Sequence, residues 1–246
     1  MFRRWGGGPG YMGEDSSCGR ELLWFAVFGV AFGYLEGAVV VYLRTISYAG
    51  GFYFPLEPIP PLILATEIGR EAATLAMLVA VALAPRGRPL LKFARFLFCF
   101  GLWDIFYYVA LKLLLGWPSS LLAWDVLFLI PLPWLAPVLA PAAVALCFVV
   151  AGAYGIIRRG RVRTRPWHWM LAGAGAAVVL ATFFWNVGTC ARNVAPTSYP
   201  WLLYGLGLAA LVAAFVVVAL RPGPFNKNSG RVLEHTPSER VANPGP

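Results

Sequence analysis

Glu67, Arg70, Glu71 and Thr74 fall at i, i+3, i+4 and i+7 inside an otherwise apolar run from Pro61 to Ala84. On a helix that spacing makes a single stripe. Glu67 and Arg70 can pair within the helix. Glu67 and Glu71 are like charges one turn apart, which is unfavourable unless they share a cation or a proton. A second stripe, Asp104, Tyr108 and Lys112, follows i, i+4, i+8 in the next run, while Glu36 lies in the first, Arg44 at its outer end and Asp125 in the fourth. Carboxylates opposed by a few cations can bind a small solute, relay a proton, or simply pin helices together. Paired carboxylates can also do acid–base work, or hold Mg²⁺ against a lipid phosphate with Arg70 and Lys112 as phosphate partners. No D-D-x-x-D, H-E-x-x-H or G-x-S-x-G pattern supports that enzymatic use. Ser119 and Ser120 have no nearby histidine to activate them. No residue is assigned a catalytic role.

These charges are conspicuous because the rest of the chain is so apolar. Of 246 residues, 59% are hydrophobic and 13% charged, with a mean hydropathy of +0.69. A soluble domain carries about 25% charged residues, so the composition points to lipid. The net charge of +9 is read through loop charge, and no nucleic-acid module appears. Cys18, Cys99, Cys147 and Cys190 are scattered without a C-x-x-C, and His168 and His235 are the only histidines. Haem or zinc needs a richer ligand set. Neither a cofactor nor a metal is expected.

The elements that position the charges follow from run lengths. Roughly 20 apolar residues span the hydrocarbon core, and the runs are Leu22–Leu43, Pro61–Ala84, Phe93–Leu115, Leu121–Ile157, Trp167–Gly188 and Pro200–Leu220. The fourth would reach about 55 Å as one helix, and it contains Pro131, Pro133, Pro137 and Pro141. Proline removes a backbone donor and turns the preceding residue away from helix. The run is therefore split into a short interfacial or re-entrant helix over 119–130 and a crossing over 134–157. The expected fold is an all-α polytopic membrane protein of six transmembrane helices plus that short outer helix. The helical domain covers 21–221, flanked by disordered cytoplasmic segments at 1–20 and 222–246.

Sixteen of the twenty basic residues lie in alternate flanks: Arg3 to Arg20, Arg86 to Arg95, Arg158 to Arg165, and Arg221 onward. By the positive-inside rule those flanks are cytoplasmic, as are both termini, and a bacterial cytoplasmic membrane is the expected location. Membrane lipid is the expected partner, with other membrane subunits as further candidates.

This orientation puts Glu36, Arg44, Glu67, Arg70, Glu71, Asp104, Tyr108, Lys112 and Asp125 in the outer half as one polar cluster. The inner half is expected to hold no comparable group. Gly29, Gly33 and Gly37 form a GxxxGxxxG ridge that permits close helix approach and turns Glu36 toward a partner helix. Three functional readings stay open: binding or transport of a small solute or proton, a structural subunit of a membrane complex, and a membrane enzyme acting on a lipid-linked substrate.

Overall fold

The structure, a computed structural model, describes residues 12–47, 60–192 and 194–221. Its elements are α1 (Met12–Ser47), α2 (Pro61–Leu83), α3 (Pro89–Leu115), β1 (Trp124–Phe128), β2 (Trp134–Pro137), α4 (Leu139–Ile157), α5 (Pro166–Phe183), α6 (Val187–Ala191) and α7 (Trp201–Ala219). Among the described residues, five helical segments are long and apolar enough to cross a membrane: Cys18–Ile46, Pro89–Leu115, Leu139–Ile157, Pro166–Thr189 and Trp201–Ala219. The chain therefore has the architecture of a helical integral membrane protein. The second helix, α2, is as long as these but carries Glu67, Arg70 and Glu71. Helix α1 starts at Met12, inside the segment expected to be disordered. The tail from 222 lies outside the described residues.

Helix α3 is the centre of the bundle, packed by α1 on one side and α4 on the other, with α2 against a third. Small residues set the approach. A Cβ on Gly33 would stand 2.6 Å from the backbone oxygen of Trp103, and one on Gly152 would stand 2.5 Å from the nitrogen of Phe98. The glycine ridge of α1 thus lies on α3 and turns Glu36 inward, as its spacing implies. Phe25, Phe32, Leu78, Phe98, Cys99 and Ile156 fill the core between these helices. Helices α5 and α7 form a second pair, tied back by the Tyr204 hydroxyl donating to the carbonyl of Ala140 at 2.7 Å. Large apolar side chains such as Trp24, Leu113 and Leu202 stay exposed on the outer faces. On a membrane protein such faces meet lipid.

One end of the bundle collects alternate helix ends. Cys18 of α1 reaches the carbonyl of Ile156 at the end of α4. Phe93 near the start of α3 meets Trp169 near the start of α5, and Arg221 after α7 lies over Trp167. The basic segments 86–95 and 158–165 belong to this end. It also holds an ion-pair network where no comparable group was expected. Arg95 donates to Glu21 at 2.6 Å, Arg159 donates to the same carboxylate at 3.2 Å, and Arg95 also reaches the carbonyls of Pro85 and Arg86. As a loop charge Arg95 announces orientation. Its helical position instead turns it into the bundle, where Glu21 compensates it.

The short helix expected over 119–130 is not there. Residues 119–122 turn, and Trp124–Phe128 pairs antiparallel with Trp134–Pro137, with a register shift between Val126 and Phe128. Helix α4 accordingly starts at Leu139, five residues later than its expected start. Pro131, Pro133 and Pro137 deny the segment helical hydrogen bonds, and bulky Trp124, Val126 and Phe128 suit an extended chain. Strand pairing satisfies the backbone instead. The carbonyls of Ala123 and Leu121 accept from Val138 and Leu139 to close the hairpin onto α4.

Candidate functional site

Four elements enclose a cavity of about 130 Å³ at the end opposite the basic loops. Helix α1 contributes Glu36, Val40 and Arg44, successive turns of one face. Helix α2 contributes Glu67, Arg70, Glu71 and Thr74; α3 contributes Trp103, Asp104, Tyr107 and Tyr108; and the hairpin contributes Asp125 through Leu129. At about 100° per residue the α2 set spans an arc of roughly 100°, which lets the whole stripe face inward. Glu67, Glu71 and Thr74 are buried, while Ile68 and Gly69 between them are exposed. The charges of α2 are therefore turned away from the surface that its apolar residues present.

Arg70 is the hub of the α1–α2 contact. Its guanidinium donates to Glu67 at 2.8 and 3.0 Å and also to Glu36. Thr74 donates its hydroxyl to the other oxygen of Glu36 at 2.6 Å. Among the described residues Glu71 forms no ion pair. Its two oxygens accept the backbone N–H of Leu129 at 2.8 and 3.0 Å, which anchors the strand end that follows β1. Arg44 donates to Asp125 at 2.9 Å and lies 3.9 Å over the Trp117 ring. The Tyr108 hydroxyl donates to the second oxygen of Asp125 at 3.2 Å. Each of these buried charges is held by hydrogen bonds, as a low-dielectric site demands.

Asp104 differs. Among the described residues no hydrogen bond or ion pair holds its carboxylate, yet it stands on the cavity wall. Among the described residues the lining has five carboxylates, Glu36, Glu67, Glu71, Asp104 and Asp125, against two guanidiniums, Arg44 and Arg70. Such an excess attracts cations or holds protons. Among the described residues no group of three or more His, Cys, Asp or Glu side chains is spaced to hold a metal ion.

Of the nine residues singled out by type and spacing, eight line this cavity. Lys112 does not. It is exposed, and its ammonium donates to the carbonyls of Gly116 and Pro118 at 3.1 and 2.8 Å, closing the end of α3. Lys112 stands in the last turn of α3, and its ammonium is taken by these carbonyls beyond the helix end instead of by the cavity. Thr74, Trp103, Tyr107 and the Leu129 amide are lining groups that residue type did not mark out. Thr74 alone had a signal, its place at i+7 in the α2 stripe.

The fold and the site together define a polytopic helical membrane protein with an acid-rich internal cavity. Comparisons with protein-family models, curated proteins and solved structures give no match for this chain.

Proposed function

We propose that the chain spans the cytoplasmic membrane six times, with both termini inside, and that its cavity binds and carries a small cation, a protonated solute or a proton from the outer side. Helix α2 is the sixth crossing. Its 23 residues extend about 35 Å, enough for the roughly 30 Å hydrocarbon core, and its charges face protein. The observation that carries the reading is Asp104, a carboxylate on the cavity wall with no partner among the described residues, in a lining where acids outnumber bases. Ionisable groups at membrane depth are costly and belong to function by default. The hairpin supports the same reading, because non-helical backbone at membrane depth is tolerated where it lines a cavity. A volume near 130 Å³ suits a few waters or a solute about the size of a small ring.

A structural subunit is the second reading, favoured by the fact that Glu36, Glu67 and Asp125 are all held in ion pairs. Reconstitution separates the two. The full chain in liposomes, with a pH-sensitive dye or labelled ammonium, methylammonium or choline, should move protons or at least one solute faster than empty liposomes. Asp104→Asn should fall to the empty-liposome rate while staying monodisperse. Wild-type flux from Asp104→Asn, or no flux from the wild type, leaves the stapled subunit as the better account.

A further inference from the structure

At the basic end, a second recess of about 440 Å³ lies where α2 ends and α3 begins. Val79, Ala82 and Leu83 wall it from α2, and Phe93 and Phe96 from α3; among the described residues Lys92 is its one charged lining residue. Arg86 and Arg88 precede it in the connecting turn. Among the described residues no carboxylate pairs with Arg86, Arg88 or Lys92, although Arg95 and Arg159 nearby both find Glu21. The start of α3 at Pro89 borders the recess and has no side-chain cap. The positive end of the α3 dipole, together with basic side chains, favours a phosphate oxygen. An apolar trough with a cationic mouth matches an amphiphile with an anionic head.

We propose that this groove binds one anionic phospholipid, its acyl chain against Val79, Leu83, Phe93 and Phe96 and its phosphate at Lys92 beside the start of α3. The proposal is independent of what the acid-lined cavity carries. Three adjacent cations with no acidic counterpart among the described residues select a lipid of net negative charge over a zwitterionic one, since each basic residue near an anionic surface favours binding. Trp169, against Phe93, fits the interfacial level at which an acyl chain meets its headgroup.

The test is native mass spectrometry of the full chain in detergent, offered phosphatidylglycerol and phosphatidylcholine at equal concentration. One phosphatidylglycerol should be retained in preference by about tenfold. Lys92→Glu should cut that retention about fivefold or more, and Val79→Trp, which fills the trough from an exposed position, should cut it comparably. Arg163→Glu, the same charge change elsewhere on the basic end, should leave it unchanged. Three results overturn the proposal: equal retention of both lipids, phosphatidylglycerol undiminished in Val79→Trp, or its displacement by millimolar inorganic phosphate. All variants are checked for monodispersity, and Lys92→Gln, which removes the charge without reversing it, should show an intermediate loss.

Discussion

Arg44 and Asp125 are 81 positions apart in the chain, and their Nη2 and Oδ1 atoms meet at 2.9 Å with both side chains buried. This contact docks the hairpin onto the end of α1. Removing one partner of a buried pair leaves an uncompensated charge, which costs about 3–5 kcal/mol, whereas neutralising both costs far less. Arg44→Met should therefore lower the yield of monodisperse protein and its unfolding midpoint. Arg44→Met with Asp125→Asn should recover most of the loss. A double variant as unstable as the single one would show that the pair contributes more than charge compensation.

Arg70 demands a different arithmetic, because it holds two carboxylates on two helices. Arg70→Met should be destabilising by a similar amount. Adding Glu67→Gln should restore only part of it, since Glu36 still stands without its cation. The triple variant with Glu36→Gln should restore most of the remainder. Denaturant midpoints of the three proteins check the order; full rescue by the double variant would mean that Glu36 does not depend on Arg70.

How much of this was legible beforehand depends on how local each signal is. The α2 stripe was legible because Glu67 to Thr74 stand within two turns, where helix geometry alone decides what faces the same way. The α1 ridge was legible for the same reason. The α3 stripe was legible as far as Tyr108 and failed at Lys112, whose ammonium is taken by the carbonyls of Gly116 and Pro118 where the helix ends. The hairpin was half legible. Prolines at 131, 133 and 137 announced that no continuous helix passes, but strand pairing needs a partner, and the partner is read only once the chain has turned back on itself. Pairs such as Arg44–Asp125 and Glu21–Arg95 join distant residues, and no spacing in a single sequence links them.

Helix approach gives a third prediction. Gly33→Ala places a methyl group 2.6 Å from the Trp103 carbonyl oxygen, so α1 and α3 must separate. Overpacking of this kind costs about 1–3 kcal/mol. Gly173→Ala meets nothing within 4 Å and should stabilise α5 by about 0.5–1 kcal/mol through helix propensity. Thermal midpoints should move in opposite directions; a neutral Gly33→Ala would mean that the helices do not pack as closely as this contact requires.

Orientation gives the fourth. In a cysteine-free background, single cysteines at Ser119 and Ser198, both exposed, should react in intact cells with an impermeant thiol reagent. A cysteine at Arg163 should react only after the membrane is opened. The reverse pattern would turn the molecule over, and the cavity would then face the cytoplasm.

The last prediction sets two aspartates with the same chemistry against each other. Asp125 is held by Arg44 and Tyr108 and is 1% exposed. Asp125→Asn removes the charge that compensates Arg44, so it should destabilise by a few kcal/mol. Asp104 lines the same cavity, but among the described residues it makes no ion pair or hydrogen bond. Asp104→Asn removes a half-buried charge without stranding a partner, so folding stability should be unchanged or slightly raised. If the carboxylates serve only to pin helices, the two substitutions should rank by stability alone, and Asp104→Asn should be silent in every assay. If Asp104 serves a ligand or proton, it should lose flux at full stability, while Asp125→Asn with Arg44→Met should regain stability. Denaturant midpoints measured beside liposome flux on the same preparations give both axes. A stable Asp104→Asn protein with wild-type flux would remove the one carboxylate that the site reading depends on.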